Sequence, residues 1–129
     1  MLKERKLVDP IVYSHILFVV NSALYAISSY YLLSIILSLC TVCSFLYHLS
    51  YEQNLFWKRM DHAMCVVSLL FIFGHLALFA APFAILLSFL WLLFSLIIYK
   101  IGKFNYEVFH TLWHIAVFLG NVLVWHFLI

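Results

Sequence analysis

The chain has 129 residues, 67% of them hydrophobic, with seven Lys or Arg against five Asp or Glu and a formal net charge of +2. Its charged fraction of 9% lies far below the roughly one quarter of soluble domains, too little to keep the apolar surface of so small a body from associating in water. A water-soluble globule is excluded, and so weak a positive charge lends no support to nucleic-acid binding. The composition fits a bilayer.

Charge-free intervals set the element count. There are 42 residues without a charge between Asp9 and Glu52, 38 between Asp61 and Lys100, and 22 from Val108 to Ile129. A spanning helix needs roughly 20 apolar residues, so the first two intervals each hold a helical hairpin and the last a single helix. The expected fold is an all-α, polytopic transmembrane helix bundle of five spans, near 11–29, 31–50, 60–79, 82–100 and 106–128. Ser28-Ser29 and Ala81-Pro82 mark two of the turns. Barrel strands do not fit runs this long and unalternating. No repeat, linker or soluble segment interrupts them, so 1–129 reads as one transmembrane domain. The first run is long for a signal peptide and is expected to stay.

Orientation follows from the basic residues. Lys3, Arg5 and Lys6 precede span one, Lys58 and Arg59 separate spans two and three, and Lys100 and Lys103 separate spans four and five. Five crossings put all seven on one side, which the positive-inside rule makes cytoplasmic, with the N-terminus inside. Trp57, Trp113 and the tyrosines near span ends read as interface anchors. Asn21 and Ser22 are expected to bond a neighbouring helix.

Seven histidines are a large number for such a chain, since a polar side chain in a span must find water, a partner or a function. His48 closes span two, His62 opens span three, and His110 and His114 open span five, while His15 lies one turn into span one, all toward the basic side. His75 and His126 lie toward the other. Positions four apart stack on one helix face, as do His110 with His114 and Ser44 with His48. Asp61 brings a carboxylate to the same depth. Three imidazoles from two helices, a carboxylate and a hydroxyl are what a catalytic zinc site uses, with a fourth position open to water. Each residue also has a plain account: packing for a single His, the helix dipole for Asp61 at a helix start, and the Cys40 carbonyl for Ser44. The cysteines Cys40, Cys43 and Cys65 read as small hydrophobes.

The stretches Ser44-Phe-Leu-Tyr-His48, Lys58-Arg59-Met60-Asp61-His62 and His110-Thr-Leu-Trp-His114 resemble the motifs of the superfamily joining alkaline ceramidases, the progestin and adiponectin receptors with the hemolysin III proteins, and the myomaker group. The resemblance covers spans two, three and five, about half of the chain. It implies zinc bound by His48, His110 and His114, with Ser44 and Asp61 as catalytic residues beside it. That superfamily has seven spans. Removing one hairpin between Asp61 and His110 preserves the side on which each motif residue lies, and could leave the bundle open to lipid or completed by a second copy of the chain.

The expected activity is hydrolysis of a lipid amide or ester bond, ceramidase-like, because a reactive centre at headgroup depth inside a bundle is reached most easily by a membrane lipid. The alternative is a non-catalytic receptor, remodelling or assembly protein with a structural zinc. A haem carrier is weakened because His62 with His75 and His114 with His126, 13 and 12 residues apart, do not share a helix face. A transporter is weakened because no span has a Gly/Pro-broken centre.

Overall fold

The computed structural model describes residues 6–7, 9–50, 52–102 and 105–129. Six helices follow one another: α1 (Pro10–Tyr13), α2 (Ile16–Ile27), α3 (Tyr31–Leu49), α4 (Leu55–Phe79), α5 (Pro82–Ile101) and α6 (Tyr106–Leu128). No strand occurs among the described residues. Together α1 and α2 make one span, Pro10–Ile27, and with α3 to α6 they give five helical segments long and apolar enough to cross a membrane.

The expected first span is interrupted. The Ser14 hydroxyl donates to the Ile11 carbonyl at 2.7 Å, and the His15 ring takes the Ile11 and Val12 carbonyls at 2.9 and 3.1 Å. Side chains thus occupy acceptors that the next helical turn would use. The backbone tightens, with the N–H of His15 reaching Val12 at 3.2 Å and that of Leu17 reaching Ser14 at 3.1 Å, a short 3₁₀-type step.

α4 starts at Leu55, five residues before the expected boundary, because the Asn54 side chain caps it by accepting from the N–H groups of Phe56 and Trp57. Asp61 therefore lies in the second turn of α4 and not at the helix mouth. Pro82 opens α5, where its missing N–H costs nothing. Of the basic residues behind the expected orientation, Lys3, Arg5 and Lys103 lie outside the described residues. Lys6, Lys58, Arg59 and Lys100 fall before α1, in the first turns of α4 and in the last turn of α5.

The interior is the reverse of a soluble core. Among the described residues, fourteen buried side chains are polar against thirteen apolar, while Leu70, Leu78, Phe79 and Phe83 stand outside. Lipid offers apolar side chains no reason to hide, so what gathers inside is small or hydrogen-bonding. The apolar part of the core, including Tyr25, Leu33, Ile72, Leu76 and Val124, occupies the half away from the histidines. There Tyr25 donates to the Asn121 carbonyl at 2.9 Å and Trp125 to the Ser28 hydroxyl at 2.8 Å. Although α4 and α5 are joined by a two-residue turn, they touch sparsely; α5 leans on α6.

Candidate metal centre

Four of the seven histidines are buried, His15, His48, His110 and His114, and all four meet at one end of the bundle. His62 and His126 are exposed and His75 is half-buried. Ring centres lie 4.5 Å apart for His48 and His110, 4.8 Å for His110 and His114, and 5.4 Å for His48 and His114. The three expected ligands are thus neighbours. His15 joins them at 4.7 Å from His114 and 5.4 Å from His48. The set whose nitrogens come within 4.8 Å of one another is His15, His48 and His114, with His110 attached through His48.

Hydrogen-bond partners assign the tautomers. Carbonyl and carboxylate oxygens only accept, so the nitrogen facing one must carry the proton. His15 Nδ1–H donates to the Ile11 and Val12 carbonyls, leaving Nε2 as a base that accepts from the Ser44 hydroxyl at 3.1 Å. His48 Nδ1–H donates to Glu52 Oε1 at 2.9 Å, leaving its Nε2 to accept from His110 Nε2–H at 3.1 Å. The Ser14 proton is spent on the Ile11 carbonyl, so Ser14 Oγ accepts from His114 Nδ1–H at 2.7 Å. The Nε2 of His114 is left buried without a hydrogen-bond partner.

These three second partners do what carboxylates and carbonyls do behind metal-bound histidines: they fix the ring and aim one lone pair inward. A tetrahedral zinc site with bonds near 2.0–2.1 Å has nitrogen–nitrogen edges of about 3.3 Å. The 3.1 Å between the His48 and His110 Nε2 atoms is a hydrogen bond, whose proton His110 would have to give up to become a ligand, and the 4.8 Å set must draw inward to match a zinc edge. Imidazole suits zinc and the neighbouring divalent ions alike. A cation would satisfy the orphaned His114 nitrogen, so the donor set fits the group.

The two expected catalytic residues are both buried beside the rings. Ser44 bonds His15 across helices rather than the Cys40 carbonyl. The Asp61 carboxyl group lies beside Ser44, His48 and His62, and the Cys65 thiol lies 4.0 Å from it. Trp113 is a wall of the site and not an interface anchor, packing on His110 and His114 at 5.2 and 5.4 Å.

Three residues of the site escaped the sequence reading. Ser14 and His15 stand adjacent at the depth of the other histidines, but a continuous helix would not have presented both to the bundle. Glu52 lies four residues after His48, a spacing that carries a signal only if the chain stays compact past the helix end. It does so by a left-handed turn, with φ 56° at Glu52, a conformation that costs a non-glycine residue about 1–2 kcal/mol. Family models, curated proteins and solved structures were each compared with the chain, and none matches.

Proposed function

We propose that this chain is an integral membrane protein that holds zinc in its histidine cluster and hydrolyses an amide or ester bond of a membrane lipid, on the cytoplasmic side if the basic residues set the orientation. The observation that carries the reading is the convergence of buried imidazole lone pairs, each aimed by its own second partner, with Asp61 and Ser44 beside them. The motif order shared with the ceramidase, progestin-receptor and myomaker superfamily supports the same assignment. When bound, such an ion supplies Lewis-acid polarisation of a carbonyl and activation of water near neutral pH.

The chain's own groups cover the remaining needs. Asp61 can accept a proton and return it to a leaving amine or alcohol. Ser44 can donate a hydrogen bond to a carbonyl oxygen as it gains charge. α4 packs only sparsely against α5, and a lipid entering between them would not have to leave the membrane. Trp113 adds an apolar wall against His110 and His114.

One observation favours a second reading. With His15 the cluster has four imidazoles, and a site closed by four protein ligands is structural rather than catalytic. Such a metal would staple α2, α3 and α6 and serve assembly or signalling.

Metal analysis of the purified protein tests the shared premise: about one zinc per chain is expected in the wild type and loss of it in His114→Ala, whereas a metal-free wild type ends both readings. Asp61→Asn separates them. A hydrolase keeps fold and metal and loses lipid turnover by about 10²–10⁴-fold; a structural staple shows no turnover to lose.

A further inference from the structure

Each helix around the centre carries a second polar residue seven positions from a site residue. Asn21 follows Ser14 by seven on α2, Ser68 follows Asp61 on α4 and Asn121 follows His114 on α6, while Thr41 precedes His48 by seven on the antiparallel α3. Along the unbroken α3, α4 and α6 seven residues are two turns, so these side chains share the faces of the site residues about 10.5 Å deeper, and Asn21, past the step at Ser14–His15, lines the same cavity. All four line one cavity of about 220 Å³, whose walls are otherwise largely apolar, among them Phe18 and Leu92.

This deeper set is only partly satisfied by the protein. Thr41 donates to the Leu37 carbonyl at 2.7 Å and Ser68 lies beside the Cys40 thiol, but Asn21 is 1% exposed and neither its Nδ2 nor its Oδ1 has a hydrogen-bond partner. The expectation that Asn21 bonds a neighbouring helix is therefore corrected. Ser22 beside it donates to the Phe18 carbonyl of its own helix at 3.1 Å. An amide buried at this depth is stable only with a partner that enters the cavity.

The shape of the need identifies the partner. Water would meet the amide but not the apolar walls of Phe18, Leu37, Leu69, Ile72, Leu92 and Leu96. A plain alkyl chain would fill the walls and leave the amide unmet. Asn21 offers both a donor and an acceptor, which a hydroxyl answers together and a carbonyl or ether oxygen does not.

We infer that the cavity is a binding site for an aliphatic chain bearing a mid-chain hydroxyl, read by Asn21 with Ser68 and Asn121 beside it. The chain enters from the membrane through the seam between α4 and α5, whose Leu69 and Leu96 line the cavity. If its carboxyl end lies at the histidines, a placement that rests on the hydrolase reading, two helical turns correspond to about eight carbon–carbon bonds, which puts the hydroxyl near C9. The hydroxyl preference itself needs no metal.

Displacement of a fluorescent fatty acid from the full chain in lipid nanodiscs tests this with three probes: 9-hydroxystearate, 2-hydroxystearate and stearate. The expected result is about tenfold tighter binding of 9-hydroxystearate than of either other acid, the worth of one buried hydrogen bond. Asn21→Leu should lower that affinity to the level of stearate while stearate still binds, which shows the cavity intact. Ser68→Ala, a smaller change, should lose several-fold of the preference. Equal binding of all three acids, as a water-filled cavity would give, or a preference that survives Asn21→Leu overturns the proposal. The metal-site variant His114→Ala should keep the preference even where zinc and turnover are gone; its loss there would place the recognition at the histidines and overturn the proposal too.

Discussion

At the scale of single residues, the site is a set of rings turned by their neighbours. A neutral imidazole offers one lone pair, and which nitrogen bears it depends on what faces the other. Glu52 makes that choice for His48 with a carboxylate oxygen at 2.9 Å. Glu52→Gln keeps an acceptor and removes the charge. Metal affinity, read by competition with a chromophoric chelator, should then fall about 10- to 100-fold with the helix content unchanged; unaltered affinity would mean that Glu52 only tidies the end of α3. The spacings that pair Ser44 with His48 and His110 with His114 are visible in the sequence because helical stacking is local. The partner of Ser44 is not, since His15 lies 29 positions away and meets it only after α2 and α3 pack.

Among the elements, the short step at Ser14–His15 is the least expected and the most consequential. A straight helix from Pro10 to Ile27 would carry the same apolar residues; the break exists because two polar side chains outcompete backbone donors for the Ile11 and Val12 carbonyls. Side chains with this ability favour such local bonds, but whether they win depends on what else they meet. Here His114 and Ser44 wait on the other side. The α5–α6 contact is decided by size. A Cβ at Gly120 would stand 2.6 Å from Trp91 Cδ1, and Trp91 is held there by its bond to the Ala116 carbonyl at 2.7 Å. Gly120→Val should therefore lower stability by about 1–3 kcal/mol as Trp91 is forced out. Gly74 meets nothing within 4 Å, so Gly74→Ala should be neutral or stabilising by up to about 1 kcal/mol. Thermal unfolding in detergent compares the two, and a Gly120→Val protein as stable as the wild type would show that the Trp91 contact does not govern the α5–α6 seam.

For the whole molecule, polar groups take the place that apolar groups hold in water-soluble bundles. α2, α3 and α6 meet through histidines and serines, and a metal at their junction would tie three separate spans together. Because an ion that binds only the folded state stabilises it, zinc at a hundred times its dissociation constant should add about 2.7 kcal/mol. Chelation should lower the unfolding midpoint of the wild type and leave that of His114→Ala where it was. A wild-type midpoint indifferent to chelator would remove the joint from the account. α4 and α5 carry the opposite character: little of either is buried, and they pack sparsely on each other. Both the lipid-hydrolase reading and the hydroxyl-chain cavity take that seam as the way in from the membrane.

The amino-acid sequence by itself determined the number of spans, the bilayer-like composition of the chain and the common depth of Ser44, His48, Asp61, His110 and His114, since charge spacing and helical periodicity act within a few residues. Only the tertiary structure decided that His15 enters the cluster, that Glu52 and Ser14 aim its rings, and that Asn21 faces a cavity with no protein partner. Those facts depend on the meeting of groups far apart in the chain, where the direction of a side chain is set by the helix it finds opposite and not by the helix that carries it.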